Sequence, residues 1–189
     1  MKDFQHDIAR AIAVLNAGGT ILYPTDTVWG VGCDATNDEA VRRVYALKRR
    51  DDAKALVTLV GDSDDLANVT GHVSAQVKHL ACNSTRPTTV IYDRPVGLST
   101  LVVAEDGSAA IRLTHEKFSA MLCQQFGKPL VSTSANISGH PAPARFDQID
   151  NEIVDGVDYV CESRRDEDNG APSRIVKVNA DGSITILRD

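Results

Sequence analysis

No stretch of this 189-residue sequence approaches the roughly 20 consecutive apolar residues that a helical membrane span needs. The N-terminal stretch is charged and has no apolar centre of the kind a secretory signal carries, so a cytoplasmic protein is expected. Cysteine is scarce: Cys33, Cys82, Cys123 and Cys161 stand far apart with no CxxC pair. That spacing suits buried, reduced thiols and argues against a zinc module or a disulfide framework. The five histidines form no HxxxH or HExxH pattern, so no protein-built metal site is expected. Neither a Walker A motif nor GxGxxG occurs, so any nucleotide must be held by another arrangement. Basic residues do not outnumber acids, with 20 Lys and Arg against 26 Asp and Glu and a net charge of −6. A protein that grips nucleic acid by bulk charge is thereby disfavoured, and only a local basic patch remains open. There is no internal repeat and no low-complexity tract.

What is present describes a soluble globular core. Hydrophobic residues make up 42% and charged residues 24%, and the length suits one domain over residues 1–189. From Asp3 to Ala17, Ile8, Ile12 and Leu15 recur on one helical face, and Gly18-Gly19 ends the helix. Residues 20–23 read as a short buried strand stopped by Pro24. Thr36-Asn37-Asp38-Glu39 matches a capping box with Thr36 as the N-cap. The helix it opens turns Val41, Val44 and Tyr45 inward and ends at Lys48-Arg49-Arg50. Strands are predicted at 55–60, 88–92, 109–113 and 129–132, with one or two weaker helices over 62–82. Thr114 can cap a helix bearing Phe118, Met121, Leu122 and Phe126. Segments 174–178 and 184–187 flank an Asp181-Gly182 turn signal and read as a hairpin. The stretch 141–156 is polar and proline-marked, and the charged run 162–169 is expected to be a mobile surface loop and a candidate lid. Helices and strands interleave while some strands pair as hairpins. The predicted fold class is α/β, a single-domain twisted mixed sheet, parallel and antiparallel, flanked by helices.

Candidate chemistry gathers at the ends of strand-like runs. Lys48 and Arg50 read either as a basic helix terminus favoured by the dipole or as a phosphate clamp, with Lys54 as a third cation within reach. Ser132 to Gly139 packs hydroxyl and amide side chains directly behind Leu130-Val131. Its plain reading is a polar turn, but α/β sheets favour ligands at the carboxyl ends of strands. Ser134 and Asn136 are two apart, so in extended chain they point the same way. Thr25, Asp26 and Thr27 follow Pro24 as an ordinary strand-ending turn or as a hydroxyl pair facing a pocket. Trp29, the only tryptophan, is expected in the core. Arg112, between Ile111 and Leu113, faces solvent or lines a site, since an unpaired buried arginine is too costly. Thr88, Thr89 and Ser173 are hydroxyls beside prolines at the start of β-rich runs.

Together these residues resemble the YrdC-like family of threonylcarbamoyl-AMP synthases in its short single-domain form. The stretch from Tyr23 to Arg50 is similar to that family's N-terminal signature, with Lys48 and Arg50 as its KxR element. Ser134 and Asn136 match its SxN element, residues 171–178 resemble its PSTIVD segment, and 111–113 its arginine-bearing strand. The similarity runs from about residue 11 to residue 178. It differs where Lys54-Ala55-Leu56 replaces Lys-Pro-Leu and where PSRIVK replaces PSTIVD.

The resemblance implies a YrdC-like fold and a reaction in which L-threonine and bicarbonate form a carbamate that attacks the α-phosphorus of ATP. It implies ATP as substrate with Mg2+ accompanying the nucleotide, and a catalytic group of Lys48, Arg50, Ser134 and Asn136. ATP would be bound by Arg50, Lys54, Thr88, Thr89, Ser134, Asn136 and Ser173, and threonine by Thr25, Thr27, Arg112 and Ser132. A tRNA-modifying partner enzyme would consume the adenylate, with at most a weak tRNA contact by the protein itself. The alternative is a non-catalytic RNA-binding paralogue of the same fold. A carbamoyl-transferring domain of the hydrogenase maturation type is disfavoured by length and cysteine spacing.

Overall fold

The computed structural model describes residues 4–50, 56–71, 73–168, 170–179, 181 and 183–189. Helix α1 (Gln5–Asn16) and strand β1 (Ile21–Tyr23) open the chain, followed by β2 (Gly30–Gly32), α2 (Asp38–Lys48) and β3 (Val57–Val60). Then come α3 (Ser63–Thr70), α4 (Ala75–Asn83), β4 (Thr88–Asp93), β5 (Ser108–Leu113), α5 (Lys117–Phe126) and β6 (Leu130–Ser134). The chain finishes with α6 (Asn151–Gly156), β7 (Tyr159–Val160), β8 (Arg174–Val178) and β9 (Ile184–Arg188). The nine strands form one mixed sheet in the order β7-β1-β2-β6-β3-β5-β4-β8-β9. Strands β1/β7, β3/β5 and β4/β8 run parallel and the other pairs antiparallel. The predicted mixed sheet, its β8–β9 hairpin and the helices over 62–82 are all there.

Side-chain alternation along the central strands separates two cores. On β3, Leu59 joins the larger cluster under α1, α2 and α5, while Val60 joins the smaller one under α3 and α4. Val41, Val44 and Tyr45 of α2 are buried as their 3.6-residue spacing requires. Burying each such side chain contributes about 1.5–3 kcal/mol. Trp29 is in the core, its ring 4.9 Å from that of Phe146.

Two helix caps differ from expectation. Asn37, not Thr36, caps α2: its Oδ1 accepts from the amides of Glu39 (3.0 Å) and Ala40 (3.2 Å). Thr36 is already committed, its hydroxyl and amide both donating to Asp34 Oδ1. Glu116 rather than Thr114 caps α5, accepting from the amides of Phe118 and Ser119. The Thr114 hydroxyl is paired with Ser119 Oγ at 2.8 Å.

The charged run after β7 is also not the free loop its composition predicts. Asp7 of α1 accepts from the amides of Glu162 (3.0 Å) and Ser163 (2.8 Å) and from the Tyr159 hydroxyl (2.5 Å). Burial alone would raise the Asp7 carboxyl, but these donors outweigh it and hold its pKa below the ordinary carboxylate value.

Candidate active site

Sheet register lays out a cavity floor. Ile91, Ala110, Val57 and Ser132 are successive neighbours across β4, β5, β3 and β6, and all four line one cavity of about 510 Å³. Ala110 is small, which leaves depth over the middle of the row. Arg112 stands two residues further along β5 and so points to the same face. The walls are the turn after β1, the end of α2, the loop after β6, and the approach to β8.

The end of α2 sorts its three basic residues. Arg49 takes a left-handed conformation (φ 48°) and ends the helix. Its guanidinium points outward to Glu152 at 2.7 Å, and Arg50 turns into the cavity. Lys48 points the other way, into the protein, and is only 1% exposed. Its ammonium donates to the carbonyl of Ser134 and, at 2.6 Å, to that of Asn136. The Lys48 carbonyl in turn accepts from the Ser138 amide at 2.9 Å. Burial, and then the Arg50 charge, push the Lys48 pKa down to about 8. Lys48 therefore lies behind the loop, holding its backbone, and is not among the residues that line the cavity.

Ser132, Thr133, Ser134 and Asn136 all line the cavity, Asn136 from beyond the end of β6. Asn136 Nδ2 donates to the carbonyls of Ile137 (3.0 Å) and His140 (2.8 Å). Its buried Oδ1 has no hydrogen-bond partner among the described residues.

Thr27 lines the cavity and Thr25 does not. Thr25 is consumed by the turn it shapes: its hydroxyl donates to the Val28 carbonyl at 2.7 Å and accepts from the Thr27 amide at 3.1 Å. Thr25 thereby supports Thr27 from behind. Arg112, 4% exposed, lies 3.5 Å from Thr27 Oγ1 and 3.0 Å from Asp26 Oδ1. The latter is an ion pair without hydrogen-bond geometry, so Asp26 Oδ1 and Arg112 Nε both keep unspent hydrogen-bonding capacity among the described residues. Burial raises the Asp26 carboxyl, with the Arg112 charge working against it.

Ser173 is 2% exposed, lines the cavity, and pairs with Thr89 Oγ at 2.8 Å. Thr89 itself stays behind Ser173. Thr88 lies elsewhere, in the wall of a smaller cavity with Asp26 and Arg86, its hydroxyl donating to the Arg86 carbonyl. Neither Thr88 nor Thr89 lines the main cavity. Lys54 lies outside the described residues.

Sequence reasoning missed Arg188. It lines the cavity from β9 and donates from Nε and Nη2 to the Ser173 carbonyl at 3.0 and 2.8 Å. Burial, followed by the nearby Arg112 charge, lowers its pKa. Three arginines, Arg50, Arg112 and Arg188, thus face one cavity. Bringing like charges together costs energy that a polyanion repays, and guanidinium forks match carboxylate and phosphate oxygens. Also missed was Arg164, whose guanidinium reaches the back of the Thr25–Thr27 turn. No three His, Cys, Asp or Glu side chains gather to hold a metal ion among the described residues. Among those residues no helix is long and apolar enough to cross a membrane.

Comparison with known proteins adds to this geometry. The model of the Sua5/YciO/YrdC family, described as "Telomere recombination", matches residues 13–189. A protein of Chromohalobacter salexigens named threonylcarbamoyl-AMP synthase is 39% identical over 142 residues, covering 75% of this chain and 77% of that protein. A second of that name, from Xanthomonas euvesicatoria pv. vesicatoria, is 32% identical over 186 residues, covering 97% of each. The crystal structure of P. abyssi Sua5 complexed with L-threonine shares the fold with a TM-score of 0.85 at 18% identity. That match covers 100% of this chain, which spans 55% of the Sua5 chain.

Proposed function

The chain belongs to the Sua5/YciO/YrdC family, and on that footing we propose that it is an L-threonylcarbamoyladenylate synthase. One observation carries the reading. The buried Arg112, its Nη2 3.5 Å from Thr27 Oγ1 and its Nε unspent among the described residues, shares its cavity with Arg50 and Arg188. That arrangement suits an amino-acid carboxylate at one end and a triphosphate at the other.

The amine of threonine and bicarbonate condense to a carbamate with loss of water. A carbamate oxygen attacks the α-phosphorus of ATP, the bond to the β-phosphate oxygen breaks, and pyrophosphate leaves with the bond electrons. The chemistry asks for no protein nucleophile. It asks for aligned reactants and fixed positive charge where negative charge collects. Arg112, Thr27 and Ser132 hold the threonine. Arg50 and Arg188 neutralise the departing pyrophosphate, assisted by Lys54. Ser134, Asn136 and Ser173 fix the nucleotide by hydrogen bonds, and Lys48 and Thr89 brace them from behind. Mg2+ is assigned to the phosphates of the nucleotide, with which it usually travels. The adenylate passes to a partner enzyme that modifies the adenosine beside a tRNA anticodon. The names of the two bacterial relatives and the threonine complex of the P. abyssi protein support this reading.

The test is pyrophosphate release from ATP with L-threonine and bicarbonate supplied together and each omitted in turn. Release that needs both, with the adenylate detected by mass spectrometry, is the expected result. Folded protein that binds ATP and releases no pyrophosphate would overturn it, and salt-sensitive tRNA binding by that inactive protein would favour an RNA-binding role.

A further inference from the structure

We propose that Arg164 is a positioning residue for the amino-acid half of the site, acting through the carbonyl of Thr25. The inference rests on the reading of Thr27 and Arg112 as the residues that hold threonine. Composition hides Arg164, since it sits in the charged run Glu162–Asp168. The fold singles it out. Its side chain is 19% exposed, and its backbone takes the left-handed conformation, φ 62°, which costs a non-glycine residue energy that its surroundings must supply.

One guanidinium ties three parts of the protein together. Nη1 donates to the Thr25 carbonyl at 3.1 Å and lies 3.1 Å from Glu116 Oε1. Nε pairs with Glu167 Oε2 at 2.6 Å. Glu116 is the cap of α5, the helix that follows the strand carrying Arg112. Thr25 is the residue whose hydroxyl bonds the Thr27 amide and contacts the Thr27 hydroxyl at 3.0 Å. Arg164 therefore fixes the turn bearing Thr27 against the framework bearing Arg112. The same segment then passes close over that turn. A Cβ added to Gly170 would lie 3.2 Å from the Thr27 carbonyl and 3.5 Å from that of Asp26.

The chemistry explains why an arginine stands here. A carbonyl at the back of a turn, a capping carboxylate and a neighbouring carboxylate form three acceptors in different directions, and a planar fork of five donors serves them at once. A lysine ammonium on a flexible stem cannot span the same set. Arg164 itself does not line the cavity. Its loss should therefore loosen the threonine subsite and leave the nucleotide subsite of Arg50, Ser134, Asn136, Ser173 and Arg188 in place.

The experiment uses the full-length chain with Arg164→Met, measuring L-threonine affinity by calorimetry and, separately, KM for threonine and for ATP. The expected result is a rise of about tenfold or more in threonine Kd and KM, with KM for ATP within about twofold of wild type. Glu167→Gln, which removes one partner but leaves the bond to Thr25, should keep both values within about twofold. Should Arg164→Met not fold, Arg164→Lys decides by the same readout. Unchanged threonine affinity in the folded variant, equal losses for threonine and ATP, or an equal effect of Glu167→Gln would overturn the assignment. Failure of the wild type itself to bind L-threonine would instead overturn the reading of the site on which the assignment rests.

Discussion

Replacing Arg112 by methionine separates its part in folding from its part in binding. The Arg112 and Asp26 side chains are 5% and 12% exposed, with 3.0 Å between Nη2 and Oδ1. At an effective dielectric constant near 20, charges roughly 4 Å apart attract by about 4 kcal/mol. Removing one partner of a buried pair costs about 3–5 kcal/mol, because the other charge is stranded. Asp26 has a way out, since burial already raises its carboxyl above the ordinary value of 3.8 and losing Arg112 raises it further. The folded variant then holds a proton that the unfolded chain has released, over the window between the unfolded and folded pKa. Across that window stability falls as pH rises, by about 1.4 kcal/mol per unit. Arg112→Met should therefore lose about 3–5 kcal/mol at pH 7 and distinctly less at pH 5. Adding Asp26→Asn should recover most of the loss and abolish that pH dependence. Urea unfolding at both pH values, with equal slopes, measures all three proteins. Threonine binding should stay absent in the double variant, because the carboxylate has lost its partner. A deficit that is equal at the two pH values and not relieved by Asp26→Asn would refute the argument.

Further outcomes follow from the same geometry. Lys48→Met should lower kcat/KM for ATP by about 10–100-fold, because two loop carbonyls lose a donor worth roughly 1–3 kcal/mol each. The wild type should also gain stability as pH rises from about 8 towards 10.5, the window in which the folded state binds fewer protons than the unfolded chain. Denaturant titration should show that gain vanish in Lys48→Met. Asn136→Ala should raise KM for ATP about tenfold while leaving KM for threonine nearly unchanged, since its bonds to Ile137 and His140 shape only the loop after β6. Asp7→Asn should cost about 1–3 kcal/mol at pH 7. Because the Asp7 pKa is depressed in the fold, its contribution is present above pH 3.8 and is lost as pH falls further. Acid unfolding curves should therefore converge for wild type and variant.

Strands rich in β-branched or aliphatic residues were legible, because β3, β4, β5 and β6 bury both faces and read as apolar runs. Strand β2, Gly30-Val31-Gly32, was not, and the reason is steric. A Cβ on Gly32 would lie 2.6 Å from the Val131 carbonyl and 2.7 Å from the Tyr23 ring, so this strand needs residues that ordinarily mark a loop. Strand β7 is too short to show a period, and α6 lies in a stretch whose polar composition resembles a connection. In the candidate site, the residues at strand ends were visible as clusters of hydroxyls and cations behind apolar runs. Arg188 was hidden because β9 is exposed along its whole length and its arginine reads as a solvated strand end. Arg164 was hidden because charge density predicts solvation, whereas its acceptors lie in residues 25 and 116, far away in sequence. Sequence also does not tell where a hydroxyl near a site is spent: those of Thr25, Thr88 and Thr89 bond backbone carbonyls or a neighbouring hydroxyl.

The cavity draws its walls from residues 27, 50, 112, 132–134, 136, 173 and 188, an arrangement with a consequence for how the protein is made. During synthesis the turn with Thr27 and the end of α2 emerge early, and the cavity is complete only when β8 and β9 bring Ser173 and Arg188 alongside. A growing chain therefore lacks the finished cavity until its last strands have paired. Contacts so distant in sequence also slow the search for the finished topology. Ligand acts only afterwards, by mass action on the completed molecule.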